Sequence, residues 1–132
     1  MTGIESKQVL VMKKFNSQRI GKYISQGSHA SVGALLSIGA LDESKDNYII
    51  PLTDPFVKAW IIGKFKKITL YVDTDEQLLS IYNAAKVANL PASLIEDSGL
   101  TEYKGVPTLT AVGIGPANPA KIDEITGNLK LF

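Results

Sequence analysis

Gln8-Val9-Leu10-Val11-Met12 is a short apolar run with lysines on both sides. Such a run is typical of a strand buried in the centre of a sheet. In the segment that follows, from Ser17 to about Leu41, apolar residues recur mainly three and four positions apart, which predicts a helix with one buried face. The change from strand to helical period is the first indication of an α/β fold.

The rest of the chain continues this alternation. Residues 67–72, 92–96 and 108–112 predict three more strands, and Gly113, Gly115 and Pro116 are expected to end the last of them. Helices are predicted from Thr53-Asp54-Pro55 to near Gly63, from about 75 to 89, and within 117–125; residues 41–47 read as a solvent loop and 129–132 as a terminal extended piece. We therefore predict a single domain, residues 1–132, with a three-layer α/β/α sandwich around a mixed, mainly parallel four-stranded sheet. The first two strands are expected to run parallel, and the third and fourth can form a hairpin.

Composition excludes several kinds of chemistry. The 132 residues include no cysteine and one histidine, His29, so disulfide scaffolds, thiolate metal sites, cysteine nucleophiles and multi-histidine zinc sites are excluded. The N-terminus lacks the pattern of a signal peptide, and apolar runs stop well short of the roughly 20 residues that span a bilayer. We expect a soluble cytoplasmic protein without a metal, cofactor or membrane partner. A homodimer is left open.

The net charge of +1 conceals two opposed halves. Residues 1–67 contain ten basic and five acidic residues, whereas residues 68–132 contain four and eight. The first half contains two basic clusters that could converge: Lys13, Lys14, Arg19 and Lys22, and Lys64, Lys66 and Lys67. A positive rim beside a helix N-terminus suits phosphate, although ordinary solvated lysines are the alternative interpretation.

Four segments resemble motifs of one known family. Residues 21–30, GKYISQGSHA, resemble the G-K-x-x-x-Q-x-x-H-A signature of the archaeal and eukaryotic type of peptidyl-tRNA hydrolase. Residues 97–101, DSGLT, resemble its D-A-G-x-T turn, and residues 115–117 its G-P-A element. Residues 123–131 are similar to its D-K-[IV]-T-G-H-L-K-L terminus. The four segments occur in the family's order along the chain.

The resemblance implies a carboxylic-ester hydrolase that needs no metal and cleaves the ester between a peptide and the ribose of tRNA. Lys22 and Asp97 match the family's catalytic lysine and aspartate, and its threonine corresponds to either Thr108 or Thr110. Water must attack the carbonyl and the oxyanion must be stabilised, which suits a lysine, a water-orienting carboxylate and a hydroxyl. The residues expected to contact the peptidyl-tRNA substrate are Arg19, Gln26, His29, Thr101 and Lys67.

Differences from the family's motifs support a second hypothesis. Leu100 stands where the family usually has arginine, and Asn128 stands where it usually has histidine. One phosphate or carboxylate contact is therefore expected to be missing. The alternative function is a non-catalytic module that binds RNA or a protein on the same fold.

Overall fold

The computed structural model describes residues 3–99 and 103–132. Its strands are β1 (Lys7–Lys13), β2 (Ala40–Leu41), β3 (Tyr48–Ile49), β4 (Lys67–Val72), β5 (Ala92–Asp97), β6 (Thr108–Ala117) and β7 (Lys130–Leu131). Its helices are α1 (Ile20–Leu36), α2 (Pro55–Ile62), α3 (Asp75–Val87) and α4 (Pro119–Thr126). The predicted α/β class is confirmed, and the predicted loop at 41–47 lies inside the small β2–β3 hairpin.

The main sheet corrects the predicted strand number and orientation. Five of the described strands form it, in the order β5-β6-β1-β4-β7, and not four. β1 and β4 are parallel, as expected, but the other three neighbouring pairs are antiparallel, so the sheet is not mainly parallel. The predicted β5–β6 hairpin is confirmed. The extra strand is the terminal extended piece, which adds to the edge of β4.

Helices cover both faces of the sheet, as predicted for three layers. On one face α1 packs over β1, β5 and β6, and a cluster of Leu10, Met12, Ala30 and Ala111 fills the contact. On the other face α3 and α4 pack against the sheet and each other, around a larger cluster that includes Val9, Val11, Leu78, Ile81 and Ile122. Even-numbered residues of β1 therefore point to α1 and odd-numbered residues to α3 and α4.

The predicted end of the last strand is wrong, because β6 continues past Gly113 to Ala117. Gly113 lies where α1 comes close to the sheet: a Cβ on it would come within 2.2 Å of the carbonyl oxygen of Ala30. A glycine inside a strand often marks such an approach of two backbones. The glycine that suggested a strand end is therefore needed for packing.

Two helix N-termini follow their sequence signals. Asp54 caps α2 by accepting hydrogen bonds from the N–H groups of Phe56 and Val57, with proline as the next residue. Thr74 and Gln77 form a capping box on α3. Among the described residues, no helix is long and apolar enough to cross a membrane.

Candidate active site

A carboxylate at the end of β5 is the centre of a polar cluster. Asp97 Oδ1 accepts hydrogen bonds from Lys22 Nζ and Gln26 Nε2, each at 3.2 Å. Lys22 and Gln26 are four residues apart on α1 and therefore lie on the same side of the helix. The side chains of Lys22 and Asp97 are 13% and 16% exposed. This ion pair is thus partly shielded from water and still open to a small substrate.

The hydrogen bonds to Asp97 keep its carboxylate ionised. The backbone N–H of Gly99 donates to Oδ2 at 2.8 Å, and this bond is the main cause that lowers the pKa of Asp97 below the usual value. Burial opposes that shift, whereas Lys22 and Gln26 add to it. Asp97 is therefore an anion at neutral pH, better suited to orienting a water molecule and holding an ammonium than to taking a proton.

An irregularity in the sheet brings Thr110 into this cluster. Ile95 of β5 pairs with Ala111, but the next residue, Glu96, pairs with Leu109. Thr110 is the unpaired residue of this β-bulge, a feature that often re-aims a side chain next to a site. Its hydroxyl donates to Gln26 Oε1 at 2.6 Å. Since Gln26 must accept from Thr110, its amide is oriented to donate to Asp97.

Thr108, the other candidate threonine, does not join the cluster. It lies opposite Asp97 in the β5–β6 ladder, but its hydroxyl donates to the carbonyl of Val106 at 2.8 Å. Of the two threonines that the sequence left open, the structure connects Thr110 to Gln26.

Aromatic residues that no sequence motif indicates surround Lys22. The Nζ of Lys22 lies 5.4 Å from the ring centroid of Tyr103, a distance at which a cation is attracted to the ring. Tyr103 stacks on Phe15, with 5.3 Å between ring centroids, and its hydroxyl donates to Gln18. These contacts join the loop before β6 to the loop before α1. Isolated aromatic residues in two loops do not predict this pairing. The Asp-Ser-Gly sequence, by contrast, is typical of a side-chain hydrogen bond to the residue two positions on, which Asp97 forms with Gly99.

The cluster opens into a cleft of about 540 Å³ at the beginning of α1. Its lining consists of Arg19, Gly21, Lys22, Ser25, Gln26, His29 and Asp97. Arg19 is the N-cap residue of α1, and its side chain makes no capping hydrogen bond to the helix. The first N–H groups of a helix attract anions, so this end of the cleft combines an arginine with a helix N-terminus. His29 is an exposed residue at the rim.

The two basic clusters do not converge, so that prediction is wrong. Lys67 begins β4 opposite Gln8, whereas Lys13 ends β1 opposite Val72. Five residues of strand separate the two ends, about 16 Å at 3.3 Å per residue. Lys13 forms a 2.6 Å ion pair with Asp75. Lys67 therefore lies outside the cleft.

Two other expectations concern residues and ligands of the site. Thr101, the remaining predicted substrate-binding residue, and Leu100 lie outside the described residues. Within 3–99 and 103–132, no group of three or more His, Cys, Asp or Glu side chains is placed to hold a metal ion.

Comparison with known proteins agrees with the motifs in this cleft. The family model of peptidyl-tRNA hydrolase PTH2 matches residues 6–132, which include the whole cluster. The chain belongs to the peptidyl-tRNA hydrolase PTH2 family. The resemblance to peptidyl-tRNA hydrolase in residues 21–30 and 97–101 is thereby confirmed, and the match to PTH2 extends over nearly the full length of the chain.

Three relatives named peptidyl-tRNA hydrolase come from archaea. The protein of Methanocaldococcus jannaschii is 38% identical over 126 residues, 96% of this chain and 99% of its own length. The protein of Staphylothermus marinus is 39% identical over 97% of this chain and 96% of its own length. That of Methanothermobacter thermautotrophicus is 34% identical over 96% of this chain and 99% of its own length.

Proposed function

We propose that this protein is a peptidyl-tRNA hydrolase that cleaves the ester between a peptide and the ribose of tRNA. The observation that carries the proposal is the hydrogen-bonded cluster of Lys22, Asp97, Gln26 and Thr110 at a basic cleft. Membership of the family and the names of its archaeal relatives support the same substrate.

In this proposal Lys22 and Asp97 are the catalytic residues. Asp97 receives three hydrogen bonds from described residues, and a carboxylate has about four acceptor sites, so one site is left to orient the attacking water. The ammonium of Lys22 then stabilises the oxyanion that forms on the ester carbonyl. When this intermediate collapses, the bond to the ribose oxygen breaks, and that oxygen leaves with the proton that the attacking water has lost. A preorganised charge inside a partly shielded cleft acts more strongly than the same charge in bulk water.

Gln26 and Thr110 are positioning residues in this mechanism. Both are 1% exposed, so they act through Asp97 rather than on the substrate. Thr110 fixes the amide of Gln26, and Gln26 fixes the carboxylate. Among the described residues, the hydroxyl of Thr108 donates to the carbonyl of Val106 and not to this network.

The beginning of α1 is proposed to bind the phosphate next to the ester. Arg19 offers a planar set of donors that matches phosphate, and the helix N-terminus adds N–H groups directed at an anion. His29, at the rim, is proposed as a further substrate contact, and Thr101 is proposed as another.

The proposal includes catalysis without a metal ion, residues 1–132 acting as one domain, and a cytoplasmic location. A chelator tests the first point, because metal-independent turnover is unchanged by excess EDTA. Sedimentation velocity tests whether the protein is a homodimer.

The direct test is turnover of an N-blocked aminoacyl-tRNA. The purified, folded protein is expected to release deacylated tRNA, and the rate is expected to be the same with and without EDTA. Binding of tRNA without release would instead support the non-catalytic module. A salt series would then separate the partners, since binding through several phosphates weakens steeply as salt increases.

A further inference from the structure

A second basic surface lies at the start of β4, at the end of the strands opposite to the cleft. Residues 55–72 contain four lysines and no acidic residue. Four consecutive residues just before and at the start of β4 are all exposed, and together with Trp60 we call them the distal basic patch: Lys64, Phe65, Lys66 and Lys67. None of these lysines lines the cleft of the proposed catalytic site.

An aromatic ring is held at the surface of this patch. Phe65 is 52% exposed and has a φ of +55°, which bulky residues rarely adopt. Its ring lies edge-on to Trp60, with 5.6 Å between centroids, and Trp60 is anchored by a 2.9 Å hydrogen bond to the carbonyl of Lys66. The Nζ of Lys67 lies 5.0 Å from the ring centroid of Trp60 and 5.7 Å from that of Phe65. The patch therefore presents a fixed ring among cations.

Two adjoining clefts connect the patch to the face of the sheet that α1 covers. The first has a volume of about 760 Å³ and includes the patch residues and one carboxylate, Glu5. The second, of about 380 Å³, runs between α1 and β4, and Lys67 lines both. The second cleft extends to Tyr23 near the beginning of α1, and none of its described lining residues is acidic.

The helix on this face has no carboxylate side chain, whereas the two helices on the other face have several. α1 has no Asp or Glu in its 17 residues, whereas α3 begins with Asp75 and Glu76 and α4 contains Asp123 and Glu124. A polyanion on the α1 face therefore meets Arg19 and Lys22 at the beginning of the helix and Lys67 beside the second cleft, with no helix carboxylate between them.

We propose that the distal basic patch binds the tRNA part of the substrate. Lysines 64, 66 and 67 contact phosphates, and the ring of Phe65 stacks on an unpaired base. Cations around an exposed aromatic ring are a combination that suits unpaired RNA. The ring can stack on the face of any base, and the cations can contact the negatively charged phosphates. This contact rests on the proposed function, since it holds tRNA while the ester occupies the cleft at Lys22 and Asp97.

Binding of labelled deacylated tRNA, followed by fluorescence anisotropy between 50 and 200 mM salt, tests the proposal. Replacing two lysines (Lys64→Ala with Lys66→Ala) is expected to raise Kd about tenfold and to reduce the slope of log K against log salt by about 1.4 to 1.8. Phe65→Leu is expected to raise Kd at least about fivefold and to leave the slope unchanged. Leucine keeps an apolar residue at the strained position, so the comparison isolates the ring.

The matched control carries the same charge change on the other face: Lys86→Ala with Lys121→Ala, both exposed on α3 and α4. This control is expected to keep the Kd and slope of the unaltered protein. If the patch variants and the control give equal Kd and slope, the patch does not bind tRNA.

Hydrolysis assays separate this proposal from the proposed function. With full-length N-blocked aminoacyl-tRNA as substrate, the two-lysine patch variant is expected to have a KM about tenfold higher than the unaltered protein. With an N-blocked aminoacyl ester of the trinucleotide CCA, the two proteins are expected to have the same KM. Turnover with an unchanged KM for full-length substrate would overturn the patch and leave the hydrolase proposal standing. If tRNA binding depends on the patch but the protein releases no tRNA, the patch proposal stands and the hydrolase proposal is overturned.

Discussion

Removing one hydroxyl distinguishes the two threonines of β6. Thr110→Val replaces the hydroxyl by a methyl group of similar volume, so the core around it stays filled. It removes the donor at 2.6 Å from Gln26 Oε1. Gln26 is 1% exposed, and water therefore cannot replace that donor without a rearrangement.

The size of the effect follows from the unpaired acceptor. A buried polar atom that loses its partner costs about 1–3 kcal/mol. Turning the amide of Gln26 does not help, because its oxygen would then face the carboxylate of Asp97. We expect the free energy of unfolding to fall by about 2 kcal/mol. If the same energy is lost from the transition state, kcat falls about 30-fold.

The assay is single-turnover hydrolysis of an N-blocked aminoacyl-tRNA, with urea unfolding measured on the same samples. Thr108→Val is the matched control, because its hydroxyl donates only to the carbonyl of Val106 among the contacts described. That variant is expected to keep kcat within about twofold. Equal rates for both valine variants, or a larger loss for Thr108→Val, would refute the positioning role of Thr110.

Three further predictions concern pH, charge and packing. Hydrogen bonds from Gly99 and Lys22 lower the pKa of Asp97. The stability that this carboxylate adds is therefore present above the ordinary aspartate range and is lost as pH falls through the lowered pKa. NMR titration should place the midpoint of Asp97 below that of a free aspartate. Lys22→Met should raise this midpoint in the same titration, and an unchanged midpoint would show that the ammonium does not act on the carboxylate. Gly113→Ala should lower the free energy of unfolding by about 1–3 kcal/mol, since the new Cβ would come within 2.2 Å of the Ala30 carbonyl oxygen; a thermal melt equal to that of the unaltered protein would contradict this packing.

Local sequence signals predicted most of the helices and strands. The N-cap of α2 and the strand β4 follow from residues next to one another, and the structure has both close to the predicted ends. The prediction failed where a distant contact decides. Gly113 continues a strand because α1 packs on it, and β7 becomes a fifth strand because the edge of β4 is available to pair with it.

The candidate site shows the same division. Lys22, Gln26 and Asp97 came from motifs, and the structure brings Lys22 and Gln26 within hydrogen-bond distance of Asp97. The choice of threonine depends on a β-bulge at Thr110, which strand alternation in one sequence does not reveal. The position of Lys67 depends on strand order, so charge clustering along the chain wrongly suggested that it joins the cleft.

Hydrolysis of an N-blocked aminoacyl-tRNA by the unaltered protein, beside Lys22→Met and Asp97→Asn, tests the central claim most directly. We predict that the unaltered protein releases tRNA and that each variant, with a native circular dichroism spectrum, is at least about 100-fold slower. Asp97→Asn keeps the shape of the side chain and removes its charge, so a loss of rate reports on the anion. No release by the unaltered protein, or release by both variants at its rate, would contradict the account.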